Sequence, residues 1–169
     1  MSDPADGGAP VPVTRVELRR ASLVEICRAD EVIRSCALLR SLAPAEAERL
    51  LGGSVARRYQ DGAAVYREGD EGCAAHFVLR GEVRLSSGRN VVFAVARKGD
   101  VFGEAELVTQ KPARASTATA AGDADVVELP APLLMEVGRG NPQLVELIRQ
   151  LHFGRHSATR EIAEFINRW

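Results

Sequence analysis

The sequence predicts a mainly β fold with flanking helices, and three observations carry that reading. A central stretch from Ser54 to about Pro130 holds short runs rich in Val, Phe and Tyr cut by glycines at Gly62, Gly69, Gly72, Gly81, Gly88, Gly99 and Gly103. Apolar residues before it fall at helical separations, and a long helical stripe follows it. At 169 residues and 46% hydrophobic the chain is about one domain with enough apolar surface to bury a core. With 22 basic against 23 acidic residues the formal charge is −1, which leaves no global field to draw in nucleic acid or an anionic membrane, so any polyanion site must be local. No stretch reaches the roughly 20 apolar residues of a membrane span, and Met1-Ser2-Asp3-Pro4-Ala5-Asp6 lacks the basic-then-apolar layout of a secretion signal. The expectation is a cytoplasmic protein with no membrane partner, in which Cys27, Cys36 and Cys73 are reduced thiols.

The elements follow in order. Residues 1–13 carry prolines, glycines and aspartates with too little apolar surface to offset the entropy of ordering, and are read as a flexible tail. Residues 14–53 are read as N-terminal helices. Val16, Leu23, Ile26 and Ile33 are spaced for a helical pair broken near Asp30, Leu38 and Leu39 close that stretch, and a further helix runs from Pro44 to Leu51 before Gly52-Gly53. Residues 54–130 hold the strand-like pieces Ala63–Tyr66, His76–Leu79, Val83–Leu85 and Val91–Val95, which many glycine turns would gather into a small β-barrel or sandwich. Residues 131–169 return to helix, first at Ala131–Val137 and then in a long helix opened by Asn141-Pro142, a polar cap followed by a first-turn proline.

That last helix sets Leu144, Ile148, Leu151, Arg155, Ala158, Ile162, Phe165 and Trp169 alternately four and three apart, a heptad seam. It is read as a homodimer helix because the stripe runs to Trp169, farther than one small barrel can cover; the other reading is that the same stripe packs on the barrel.

The chemistry concentrates in Gly99-Asp100-Val101-Phe102-Gly103-Glu104-Ala105-Glu106-Leu107, followed by Arg114-Ala115-Ser116-Thr117-Ala118. A glycine before an acid that opens a short helical turn presents backbone N–H groups at Gly103, Glu104 and Ala105 to an anion. An arginine returned to that turn supplies a bidentate fork suited to phosphate. A carboxylate beside a phosphate site makes sense when it accepts hydrogen bonds from hydroxyls, and ribose places hydroxyls beside phosphate. The trio of Gly103, Glu104 and Arg114 therefore points to a nucleotide. The bland reading, a structural Glu104–Arg114 ion pair pinning two loops, does not use the turn that precedes it.

With Asp61-Gly62, Glu68-Gly69-Asp70, Phe77-Val78-Leu79-Arg80-Gly81-Glu82-Val83 and Lys98–Glu104 in front of Arg114, the chain from about Leu38 to Leu151 resembles the cyclic-nucleotide-binding domain shared by catabolite activator proteins and kinase regulatory subunits. The resemblance implies a jelly-roll-like β-roll, a double-stranded β-helix, with flanking helices, a phosphate-binding cassette and a long C-terminal helix that caps the base or forms a dimer. It gives Glu104 the ribose 2′-hydroxyl and Arg114 the cyclic phosphate, with amides at Gly103 and Ala105. From the segment after Arg114, namely Ala115, Ser116 and Thr117, Ser116 or Thr117 adds a hydroxyl. Leu85 and Phe93 are placed as the apolar wall under the base, and Arg155, Ser157 and Thr159 as residues reaching over it. The ligand implied is cyclic AMP or cyclic GMP, with no metal and no catalysis.

At position 106 that family usually carries a small residue, and here stands Glu106, within a helical turn of the anion, where like charge is unfavourable by about 1 kcal/mol. Two functions follow: a cyclic nucleotide sensor that passes its state through its helices to an unidentified effector protein, or the same fold kept as a ligand-free dimerisation module. In the transcription factors of this family a helix-turn-helix follows the dimer helix, and since this sequence ends at Trp169 no direct DNA binding is expected. A cupin-like metal enzyme would need several histidines in the barrel, and only His76 falls there. His152 with His156 and Cys73 with His76 each leave a metal ligand set half complete. Arg19-Arg20-Ala21-Ser22 has the look of a kinase site but is read as coincidence in an arginine-rich chain.

Overall fold

The computed structural model describes residues 34, 36–88 and 90–166, with side chains as far as Arg155. The tail, the helical pair read in residues 14–33, Cys27, the Arg19–Ser22 tetrapeptide and Trp169 lie outside the described residues, as do the side chains of Ser157 and Thr159. Two helices come first, α1 (Ala37–Arg40) and α2 (Pro44–Gly52). Six strands follow, β1 (Val55–Tyr59), β2 (Ala64–Tyr66), β3 (Ala74–Ser87), β4 (Val91–Ala96), β5 (Val101–Phe102) and β6 (Thr117–Pro130), with the short helix α3 (Ala105–Thr109) between the last two. Helices α4 (Ala131–Arg139) and α5 (Pro142–Ile166) close the described chain. All strand pairings are antiparallel: β1, β6, β3 and β4 lie side by side in that order, β2 pairs with β6, and β5 with β3. This is the β-roll with flanking helices that the sequence predicts.

Two cores lie on opposite faces of the long strands, and strand alternation decides which side chain enters which. In β6, Ala118, Ala120, Ala124 and Val126 enter the roll, while Val127 and Leu129 join the helices. In β3, Ala75 and Phe77 face the helices and Val78 the roll, yet Val83 and Leu85, of the opposite parity, also face the roll. The parity changes because the β3–β6 register shifts between Val78 and Arg80 and again between Arg80 and Glu82. A bulge of this kind turns a strand over. The two strand pieces read on either side of Gly81 are thus one strand with an irregularity at its middle.

The helical core gathers Leu38 and Leu39 of α1, Leu50 and Leu51 of α2, Leu134 of α4, and Leu144 and Ile148 of α5. Leu144 and Ile148, the first residues of the heptad seam, are buried in the chain's own core, and Leu151 packs against it. The described half of the seam therefore packs on the roll, and the half from Ala158 onward lies beyond the described side chains. The expected N-terminal cap is present: the Leu144 amide donates to Asn141 Oδ1 at 3.1 Å, while Asn141 Nδ2 donates to the Ser41 carbonyl, fixing the start of α5 against the end of α1.

Candidate functional site

Strand β5 ends at Phe102, and Gly103 turns the chain into α3. Gly103 has φ +71°, and a Cβ there would lie 3.0 Å from Arg114 Nη1 and 3.1 Å from His76 Nδ1, so only glycine fits both the conformation and the space. The turn delivers Glu104 and Glu106 toward a cavity of about 200 Å³ between the roll and α5. Of the residues expected at the site, Leu85, Phe93, Gly103, Glu104, Ala105, Ala115, Ser116 and Arg155 line it. Glu106, flagged in the sequence as standing beside the anion, lines it as well, and so do Tyr66 and His152, whose part in the site was not foreseen from the sequence.

The charges at the turn form two separate ion pairs. Glu104, 3% exposed, accepts from Arg155 Nη1 at 2.6 Å, and its other oxygen lies 3.9 Å from His152 Nδ1. Arg155 also donates to the Val101 carbonyl, so this one residue of α5 holds both the carboxylate and the strand that leads to it. Arg114, 5% exposed, pairs with Glu106 at 2.7 Å rather than with Glu104. Arg114 Nη1 also donates to the Gly103 carbonyl at 3.0 Å, Nη2 donates to the Ala74 carbonyl at 2.8 Å, and the guanidinium stacks over the Tyr66 ring at 4.2 Å. The bland reading of a Glu104–Arg114 ion pair is not what forms; each carboxylate pairs with its own arginine.

Arg114 lies outside the set of side chains that line the cavity. The backbone holds it there, since the Arg114 amide donates to the Asp70 carbonyl at 2.7 Å and the Gly69 amide to the Arg114 carbonyl at 2.9 Å. The glycine-rich segment around Glu68–Gly72 thus serves as the rail on which the arginine is mounted. Thr117 does not line the cavity; its Oγ1 accepts from the Glu68 amide at 3.0 Å and ties down the same segment.

An aromatic wall backs the arginine. His76 is buried, stacked on Phe102 with centroids 5.3 Å apart and tilted against Tyr66 at 5.5 Å. Burial, and then the Arg114 and Arg57 guanidiniums, hold His76 down at about 3, so the imidazole is neutral at ordinary pH. Burial also pushes Tyr66 up to about 12, against the opposing pull of Arg114 and a hydrogen bond with Ser116. The unfolded chain takes up a proton at His76 below its ordinary 6.5 and the folded chain does not until about 3, so stability falls as pH drops through that window. The expected slope from this group approaches about 1.4 kcal/mol per pH unit. Urea midpoints taken at about pH 7 and about pH 4.5 should show it, and His76→Phe should flatten it; an unchanged slope in that variant excludes His76 as the source.

No three His, Cys, Asp or Glu residues converge to hold a metal among the described residues. No described helix is long and apolar enough to cross a membrane. What the cavity offers is an apolar wall from Leu85 and Phe93, a buried carboxylate suited to hydroxyl donors, and an arginine screened by a second carboxylate.

Residues 56–140 match the family described as cyclic nucleotide-binding domain. The chain is 34% identical over 88 residues to the rat patatin-like phospholipase domain-containing protein 7, a match over 50% of this chain and 6% of that protein. It is 31% identical over 102 residues to the cAMP-dependent protein kinase regulatory subunit of Colletotrichum orbiculare, over 59% of this chain and 26% of that one. The match thus takes in a small part of each relative's length. Among solved structures, cAMP-bound PfPKA-R superposes with a TM-score of 0.73 at 23% identity, over 85% of this chain and 49% of that chain, a likeness of fold.

Proposed function

Because this chain belongs to the cyclic nucleotide-binding domain family, we propose that it is a non-enzymatic sensor whose cavity takes cyclic AMP or cyclic GMP and whose last helix passes the ligand state to a partner protein. The observation that carries this reading is Glu104, a buried carboxylate at the cavity wall whose oxygens can accept hydrogen bonds from ribose hydroxyls. Leu85 and Phe93 supply the apolar face for the base, and Arg114 with the Ala115 amide supplies the donors for phosphate. The relatives named for cAMP support the ligand class.

A route for the signal lies in the Glu104–Arg155 pair. Ribose hydroxyls donating to Glu104 compete with Arg155 Nη1, and Arg155 belongs to α5, so ligand binding and the position of α5 are linked. Coupling of this kind requires that α5 sit differently in the two states, and the Arg155–Glu104 contact is the one expected to change. A second copy would meet α5 beyond Arg155, where the seam continues; DNA and membrane are not partners in this reading, and the expected place is the cytoplasm.

A specific observation favours a second reading, the ligand-free module: Glu106 already neutralises Arg114. Calorimetric titration with cyclic AMP and cyclic GMP, repeated on Glu104→Gln, separates the two. Saturable 1:1 binding weakened by at least about tenfold in the variant, the loss of one charge-assisted hydrogen bond, supports the sensor. A folded protein that binds neither nucleotide, in either form, supports the module.

A further inference from the structure

We propose that Glu106 is an intramolecular occupant of an anion seat formed by Arg114 and Ala115, and that a cyclic phosphate enters this seat only by displacing it. The second clause rests on the sensor reading above.

Four observations support the assignment. Glu106 lines the cavity and Arg114 does not, so an incoming anion meets the carboxylate before the guanidinium. The two oxygens of Glu106 take the two donors a phosphate would use: Oε2 accepts from Arg114 Nη1 at 2.7 Å, and Oε1 lies 3.3 Å from the Ala115 amide that donates to it. The side chain is 7% exposed and fills a space left for it, because a Cβ at Gly72 would stand 2.6 Å from Glu106 Cγ and 3.2 Å from Oε2. Finally, Arg114 Nε is buried without a hydrogen-bond acceptor. The carboxylate therefore leaves one donor of the fork unmet, and a phosphate, with more oxygens, has an acceptor to offer it.

These features make Glu106 a specificity-determining residue. With it seated, the cavity presents a carboxylate to a cyclic phosphate, and like charges at close range in a partly dehydrated site repel. A nucleoside carries no phosphate and does not contest the seat. Cyclic nucleotide affinity is thus lowered by the work of moving Glu106 out, whereas nucleoside affinity is indifferent to it.

The test uses two variants that empty the seat in different ways. Glu106→Ala removes the carboxylate, and Gly72→Ala keeps its charge but pushes it out of place, so a folding failure of the first does not end the experiment. Calorimetric titration of the full chain and both variants with cyclic AMP and with adenosine should show cyclic AMP bound roughly 10- to 100-fold tighter in each variant, as for relief of a buried like-charge contact. Adenosine affinity should be the same in all three. Unchanged cyclic AMP affinity in the variants overturns the proposal, and so does an equal gain for adenosine, which would mean only added room. A separate arm asks about the seat alone: acetate should raise the thermal midpoint of Glu106→Ala and leave that of the unsubstituted protein unmoved. A folded Glu106→Ala indifferent to acetate overturns the seat. If acetate stabilises the variant while none of the three proteins binds a nucleotide, the failure belongs to the sensor reading and Glu106 stands as the occupant of an anion seat.

Discussion

Arg114→Ala should destabilise the protein by about 3–5 kcal/mol, the range for removing one partner of a buried ion pair. The guanidinium serves three acceptors, Glu106 and the carbonyls of Gly103 and Ala74, and it covers the Tyr66 ring. Alanine leaves a buried carboxylate facing no cation and two carbonyls short of a donor. Arg114→Lys should recover little, because a single ammonium on a flexible stem cannot span acceptors that a planar fork reaches at once. The combined change Arg114→Met with Glu106→Leu should recover most of the loss, since both charges leave together and the space stays filled. Urea unfolding midpoints measure all three. A shift of less than about 0.5 kcal/mol in Arg114→Ala, within the range of ordinary surface substitutions, would show that the pair does not anchor the cassette. The same variant should also lose cyclic nucleotide binding, because it removes the guanidinium that shares Glu106 with the Ala115 amide.

The second large effect belongs to Gly81, at the point where β3 turns over. It has φ +83°, and an added Cβ would lie 2.4 Å from the Asp123 carbonyl oxygen and 2.9 Å from Ala124 Cα. Both are backbone atoms of β6, so no rotamer change relieves the contact. Gly81→Ala should cost about 2–4 kcal/mol, combining left-handed strain with a backbone displacement. Gly62 is the matched control: its φ is +78°, and nothing lies within 4 Å of the added atom. Gly62→Ala should cost only the conformational strain, about 1–2 kcal/mol. Equal losses for the two glycines, read from thermal or urea midpoints, would remove the steric part of the argument.

The comparison of these two glycines also shows how far the sequence is readable. Both mark turns in a string of residues, and only the register between β3 and β6 reveals that one of them is pressed against a neighbouring backbone. The strand pieces flanking Gly81 are recognisable from their Val and Phe content, but their union into a single bulged strand depends on a pairing some 40 residues away. The turn of the cassette is legible because Gly103, Glu104 and Ala105 are contiguous, and Arg114 does reach it, through its Nη1 bond to the Gly103 carbonyl. Their ion pairing is not, because Arg155 reaches Glu104 across 51 residues through the placement of α5, which no local spacing encodes. Thr117 lies outside the cavity lining for a simpler reason: Ser116 lines it, and the next residue of an extended chain points away. Tyr66 carried only the signal of an aromatic in a short strand, and nothing in its spacing ties it to Arg114. His152 sits one turn before Arg155 on the helix that closes the cavity, and its neighbourhood with Glu104 is visible only after folding.

The central claim is that a cyclic nucleotide occupies the cavity between Glu104 and Ala115. Amide-resolved nuclear magnetic resonance reports on this most directly, since it registers weak binding that Glu106 would impose as readily as tight binding. With rising cyclic AMP, the amides of Gly103, Ala105, Ala115 and Ser116 should shift along saturable curves that share one dissociation constant, and the Leu85 and Phe93 amides should follow it. A well-dispersed spectrum in which none of these amides moves, up to concentrations where cyclic AMP begins to perturb exposed surface residues, would contradict the claim.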